Sequence, residues 1–172
     1  MNGESWFGPE RIANLKAISL SSVFAVLVGF ALWRFIPTPE VAEGELLSYA
    51  AGLLVWPALV LLLMVASCFR TFDVVGAFDP LSGAESRRFR INARVLQNSV
   101  EQSLIFTLAL LAAAASSPVV HARLLLALCV AFCLGRLLFW VGYHVGLQQR
   151  GYGFSLGFCA NLGALLMALW FA

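Results

Sequence analysis

The sequence predicts an all-α integral membrane protein, and three observations predict it. Hydrophobic residues fill 61% of the 172 positions while charged residues fill only 12%, about half the ~25% of an ordinary soluble domain. The mean hydropathy is +0.88. Five apolar stretches, near 17–36, 46–69, 92–117, 121–147 and 153–171, each approach the ~20 residues that carry a helix across ~30 Å of hydrocarbon.

The first stretch, AISLSSVFAVLVGFALWRFIP, follows a polar tail of residues 1–16 carrying Trp6 and Phe7, which suit an interface, and Arg11 and Lys16. Basic residues ahead of an apolar run also mark a signal sequence. This run exceeds a typical signal core and lacks a small-x-small cleavage site, so an uncleaved anchor is the better reading. Pro37, Pro39 and the acidic TPEVAEGE segment make a short loop. The second span, LLSYAAGLLVWPALVLLLMVASCF, contains Pro57, which supplies no N–H and is expected to kink its helix. The longest loop, Arg70–Arg90, carries Gly76, Pro80, Gly83 and the basic SRRFR cluster, and is too short for a soluble domain.

The third span is purely apolar only from Leu104 to Ala115, too short to cross. Counting ~20 residues back from Ser116 starts the crossing near Gln97, which puts Asn98 and Glu101 inside the boundary and Arg94 just outside it. With 3.6 residues per turn, Arg90, Arg94, Asn98, Glu101 and Ile105 share one helix face. SSPVVHAR turns the chain into the fourth span, where Arg136 lies far from either end. An arginine at that depth costs about 2.5–3.5 kcal/mol on insertion scales and needs an interior partner. Spans three and four run antiparallel and put Glu101 and Arg136 at similar depth, so these two are expected to face each other, directly or through a ligand. LQQRGYG, with Arg150, turns into the last span. Gly142 with Gly146, and Gly153 with Gly157, are small-xxx-small pairs suited to close helix approach.

The net charge of +2 gives no reason to expect nucleic acid. Five spans put the termini on opposite sides. A cytoplasmic N-terminus collects Arg11, Lys16, Arg70, Arg87, Arg88, Arg90 and Arg150 on one side and leaves Arg34 and Arg123 with Glu40, Glu43 and Glu45 on the other. The positive-inside rule therefore predicts a multi-pass protein with its N-terminus cytoplasmic and its C-terminus opposite. Cys68, Cys129, Cys133 and Cys159 all lie in or at the end of apolar spans, which argues for packing thiols rather than disulfides or a metal site. His121 and His144 are too few for a multi-histidine metal centre, and His144 reads as an interfacial residue. GFSLG matches G-x-S-x-G, but a nucleophile elbow needs a preceding strand and a later histidine. Here the flanks are helical and both histidines lie upstream, so Ser155 reads as a helix-start residue.

A cation, an amide and a carboxylate on one face, with Arg136 opposite, suit a zwitterionic, peptide-like ligand. Arginine could hold a carboxylate, Glu101 an ammonium group and Asn98 an amide. At these residues the chain resembles the MAPEG family, the membrane-associated proteins of eicosanoid and glutathione metabolism. RVLQNSVE, Arg94–Glu101, resembles the family's R-x3-N-x2-E signature, and GRLLFWVGYHVGLQQR, Gly135–Arg150, resembles the R-x2-Y-x3-Y-x6-R pattern of its leukotriene C synthase branch. The resemblance covers residues 46–172 and implies a four-transmembrane-helix bundle, with residues 17–36 as one extra N-terminal transmembrane helix. It further implies a homotrimer in the lipid bilayer, with glutathione as co-substrate, no metal, and a site near the cytoplasmic face. The implied glutathione contacts are Arg94, Asn98, Glu101 and Tyr143, with Arg90, Gln102, Arg136 and Phe139 completing the binding set and Arg150 activating the thiol. Gln102 and Phe139 stand where the family pattern has tyrosines, so two hydroxyl donors are missing.

The function implied is a glutathione-dependent transferase or peroxidase acting on lipophilic small molecules. Two other readings stand beside it: a non-catalytic lipid-binding or scaffold protein that keeps the bundle, and a small transporter or channel subunit. The last lacks a broken helix pair and a second set of intramembrane charges.

Overall fold

The computed structural model describes residues 8–146 and 148–172; Trp6 and Phe7 of the expected interfacial tail lie outside them. The described chain forms six α-helices: α1 (Pro9–Phe35), α2 (Leu46–Leu53), α3 (Val55–Ser67), α4 (Arg87–Ser116), α5 (Ala122–Val145) and α6 (Gln149–Phe171). Among the described residues there is no strand. Because α2 and α3 are two parts of one span, five helical segments are long and apolar enough to cross a bilayer, at the five places the hydropathy pattern puts them.

The break between α2 and α3 comes just ahead of Pro57. Proline at 57 cannot donate to the carbonyl of Leu53, four residues back, so that carbonyl is left over inside hydrocarbon. The Cys129 thiol on α5 reaches it at 3.4 Å. Cys129 is thus buried as a packing residue that also satisfies a stranded acceptor. All four cysteines are free thiols.

Helix boundaries depart from the apolar stretches at the polar ends. α1 begins at Pro9 rather than near 17, α4 at Arg87 rather than 92, and α6 at Gln149 rather than 153. The reason is that hydropathy marks hydrocarbon, whereas helices continue into the polar boundary as long as caps and neighbours hold them. Ser86 caps α4 by accepting from the Phe89 amide at 3.0 Å, worth about 1 kcal/mol. At 30 residues, α4 is ~45 Å long, ~15 Å more than the hydrocarbon core.

α5 and α6 pack backbone to backbone, and glycines make this possible. A Cβ at Gly135 would lie 2.5 Å from the Gly157 nitrogen, one at Gly142 would lie 2.6 Å from Cα of Arg150, and one at Gly153 would collide with the Phe139 nitrogen. Of the two sequence pairs, Gly153, Gly157 and Gly142 serve the contact. Gly146 does not: it ends α5 in an extended conformation. Gly135, outside both pairs, belongs with the others. Below the glycines, Phe106 of α4 stacks on Phe132 of α5 at 4.3 Å between centroids, inside a core that includes Leu110, Leu125 and Leu156.

α1 packs on its own chain, against α6 and α5. Ser21 and Ser155 share a buried hydrogen bond of 2.8 Å between hydroxyls, Phe24 meets the Tyr152 ring edge-on at 5.3 Å, and Arg123 donates to the Arg34 carbonyl. Ser155 is therefore an interhelical hydrogen-bonding residue in the second turn of α6, not a helix-start residue. At the opposite end from Arg34, the 68–86 loop folds on Arg70, which pairs with Glu85 at 2.9 Å, donates to the Ala77 carbonyl and covers the Phe89 ring.

Candidate functional site

The end of the bundle that holds the start of α4, the α5–α6 turn and the early part of α1 contains a cavity of about 500 Å³. Arg94, Gln97, Asn98 and Glu101 reach it from α4, Phe139 and Tyr143 from α5, and Arg150, Gly151 and Phe154 from α6. Ile18 of α1 closes one side. Each helix contributes through its periodicity: Arg94, Asn98 and Glu101 recur every three or four residues, as do Phe139 and Tyr143, and Arg150 and Phe154.

Six of the nine sequence-predicted site residues therefore line one space: Arg94, Asn98, Glu101, Phe139, Tyr143 and Arg150. The other three lie elsewhere. Arg90 is exposed on α4, one turn before Arg94, and does not reach the cavity wall. Gln102 turns toward α6, where its side-chain oxygen accepts from Asn161 at 2.7 Å. Arg136 is only 1% exposed and sits behind the cavity.

Arg136 does not pair with Glu101. Its Nη1 donates to Oδ1 of Asn98 at 3.0 Å, while Nε and Nη2 are buried without partners. The guanidinium lies over Phe132 and Phe139, 5.6 and 5.0 Å from their centroids, so two ring faces supply the remaining stabilisation. Gly157 makes the room, since a Cβ there would strike the guanidinium. Depth was legible in the sequence, but rotation about the α4 axis sends Asn98 inward and leaves Glu101 on the open rim. This arrangement holds the Asn98 amide in place and leaves its NH₂ group available.

Arg150 is the second residue of α6, not a loop residue. It is held by the tight α5–α6 approach at Gly142 and by the Tyr143 face, 4.9 Å from the guanidinium carbon. Among the described residues, the side chains of Arg94, Glu101 and Arg150 form no ion pair; Arg70–Glu85 is the sole pair there. Two guanidinium groups, a carboxylate, an amide and a phenol thus border one cavity without neutralising one another. Such a set is complementary to a small molecule bearing carboxylates, an ammonium group and amides.

One polar centre escaped the sequence reading. Asn92 is buried between α3, α4 and α5: its amide donates to the Ser67 carbonyl at 3.1 Å, and its oxygen meets Trp140 Nε1 and His144 Nε2, each at 2.9 Å. His144 is accordingly a structural partner of Asn92 at the bundle's polar end. Asn92 lies in a run already rich in polar residues, and its three partners are distant in sequence, so only the Asn–Trp–His composition hinted at it.

The MAPEG family model matches residues 46–170, from the first residue of α2 almost to the end of α6, and leaves α1 outside. No curated protein and no solved structure matches the chain. The match spans most of the chain and contains every cavity-lining side chain except Ile18 of α1. The protein is a multi-pass membrane member of the MAPEG family.

Proposed function

We propose that the protein is a membrane-bound, glutathione-dependent transferase or peroxidase. The observation that carries this reading is the convergence of Arg94, Asn98, Glu101, Tyr143 and Arg150 on one cavity without ion pairing among them. Glutathione has the complementary groups: two carboxylates for Arg94 and a second donor, an ammonium group for Glu101, and peptide amides for Asn98. Its thiol would lie by Arg150. A thiol with a pKa of about 8.5 is mostly protonated at neutral pH, and the thiolate is the nucleophile. A guanidinium beside the sulfur favours the anion, and a fall of about two units in thiol pKa corresponds to ~2.7 kcal/mol.

In the transferase reaction the thiol proton passes to water and the sulfur bonds to an electrophilic carbon. The leaving group departs with its electron pair, or an activated alkene takes up a proton. In the peroxidase reaction two glutathione thiols supply two electrons and two hydrogens. A hydroperoxide becomes an alcohol and water, and the disulfide of glutathione is the other product. The substrate class is lipophilic, because the cavity lies among membrane helices. The charge distribution supports a cytoplasmic N-terminus and a site facing that side, and family membership supports a homotrimer.

The second reading, a non-catalytic lipid-binding or scaffold member, is favoured by Phe139 and Gln102 at the two tyrosine positions and by the engagement of Gln102 with Asn161. Purified protein assayed with glutathione and an aryl halide separates the two. The enzyme reading expects glutathione-dependent halide release that Arg150→Ala removes; its absence in the wild-type protein supports the scaffold.

A further inference from the structure

The Asn92 centre opens on a cavity of its own. About 370 Å³ in volume, it is lined by Arg88 and Asn92 of α4 and by Trp140, Val141 and His144 of α5. It shares no residue with the cavity that holds Arg94, Tyr143 and Arg150. Asn92 sets its depth by bonding the Ser67 carbonyl at 3.1 Å. Ser67 is the last residue of the α2–α3 span and His144 lies in the last turn of α5, so the hydrocarbon ends here, the level at which tryptophan is enriched. One side of the cavity is apolar: Val141 is exposed, and the exposed Leu137 and Leu134 continue its face along α5 into the bilayer. The other side carries Arg88, which forms no ion pair among the described residues. No carboxylate lines the cavity. Asp73 lies in a smaller hollow that Arg88 also borders, and its carboxylate accepts from the Ser86 amide at 3.1 Å.

The hydrogen bonds of Asn92 fix where the His144 ring carries its hydrogen. An indole N–H can only donate, so the atom that Trp140 Nε1 meets is the amide oxygen, and the NH₂ group faces the Ser67 carbonyl. His144 Nε2 lies 2.9 Å from that same oxygen and must therefore donate to it. In the neutral ring Nδ1 is then a bare acceptor, whereas the protonated ring donates from Nδ1 as well and keeps its bond to Asn92. Around the ring stand Arg88 and Asn92 from α4, with the Ser67 carbonyl of α3 behind Asn92. Two cations side by side with no carboxylate in the cavity call for an anion. We propose that this cavity binds the phosphate of an anionic phospholipid, held between Arg88 and the protonated His144 ring, with an acyl chain laid along Val141, Leu137 and Leu134. Binding takes up one proton at Nδ1, so it strengthens as pH falls. A zwitterionic headgroup fits less well, because its ammonium group meets Arg88 and no carboxylate. The site belongs to Arg88 and not to the basic cluster at large, since Arg87 does not line the cavity. It is independent of the glutathione chemistry.

The test titrates full-length protein in a neutral detergent with dioleoyl phosphatidylglycerol, whose phosphodiester keeps one negative charge throughout the range used, and follows bound lipid by native mass spectrometry. The expected result at about pH 6 is one lipid per chain, bound about tenfold more tightly than dioleoyl phosphatidylcholine. Raising the pH to about 8 should weaken it about tenfold, because an ordinary imidazole loses its proton between these values. His144→Gln keeps a donor for Asn92 but cannot take up a proton, so it should bind weakly and equally at both pH values. Arg88→Gln should lose the preference for the anionic lipid, whereas Arg87→Gln should behave as the wild type. All three side chains are exposed, and the variants should melt as cooperatively as the wild type. Equal binding of the two lipids, an equal loss from Arg87→Gln, or a pH dependence that survives His144→Gln would overturn the proposal. Displacement of the lipid by millimolar glycerol 3-phosphate would identify a site for a free phosphate and overturn the lipid assignment.

Discussion

Replacing Asn98 by alanine isolates the most exacting contact in the fold. Arg136 is 1% exposed, and Asn98 Oδ1 is its one hydrogen-bond acceptor among the described residues. Nε and Nη2 already lack partners, so no spare acceptor is in reach. Losing a hydrogen bond to a buried charged group costs about 1.5–3 kcal/mol. At 2–4 °C per kcal/mol for a chain of this size, Asn98→Ala should lower Tm by about 3–12 °C. Arg136→Met has the opposite logic. It removes the charge that needs solvating and leaves a side chain that packs against Phe132 and Phe139, so its cost should be smaller than that of stranding the guanidinium. The double variant should regain most of what Asn98→Ala loses, a coupling of about 0.5–3 kcal/mol. Thermal melts of the four proteins in one detergent complete the cycle. Additive losses, or an Arg136→Met variant less stable than Asn98→Ala, would refute the view that Asn98 is there to solvate Arg136.

Three further outcomes follow from other parts of the structure. Gly153→Ala, whose new Cβ would lie 2.6 Å from the Leu138 carbonyl carbon, should cost about 3 kcal/mol or more because backbone cannot move aside. Gly29→Ala, with nothing within 4 Å, should not lower the melting temperature. Ser21→Ala should destabilise more than Ser155→Ala, by about 1 kcal/mol: Ser21 keeps its bond to the Ile18 carbonyl when Ser155 is lost, whereas Ser155 keeps no hydrogen bond. Melting temperatures of both singles and the double read this asymmetry. At the loop, the Ser86 hydroxyl and amide hold the Asp73 carboxyl below its ordinary value of 3.8. A lowered carboxylate pKa stabilises the folded loop above the ordinary value, and this stabilisation is lost as pH falls through the depressed one. The protection of the Ser86 amide, its exchange rate relative to a free peptide at the same pH, should therefore fall as pH drops below 3.8 in the wild-type protein and be low at every pH in Asp73→Asn.

The spans were legible because lipid leaves few options: an apolar run of about 20 residues must close its own backbone hydrogen bonds, so it is a helix. Their polar ends were less legible, since the first residues of α4 and α6 are held by a serine cap and by glycine-mediated packing that hydropathy does not measure. Within the site, periodicity placed Arg94, Asn98 and Glu101 on one face. A face spans more than one neighbour, however, and only the observed rotation of α4 assigns Asn98 to Arg136 and Glu101 to the cavity. Gln102 turned away because Asn161, 59 residues later, is an amide partner that no local pattern announces. Ile18 was invisible for a different reason: an apolar residue among apolar residues carries no sign that it closes a cavity.

The central claim concerns one atom pair, the sulfur of bound glutathione and the guanidinium of Arg150, and the pH titration of thiolate absorbance on purified protein tests it most directly. The account predicts that the wild-type protein lowers the apparent thiol pKa of bound glutathione by about two units, while Arg150→Ala binds glutathione, shown by calorimetry, and returns its thiol to the free-solution value. Glutathione bound to the wild-type protein with an unshifted thiol, or a shift that survives Arg150→Ala, would contradict it.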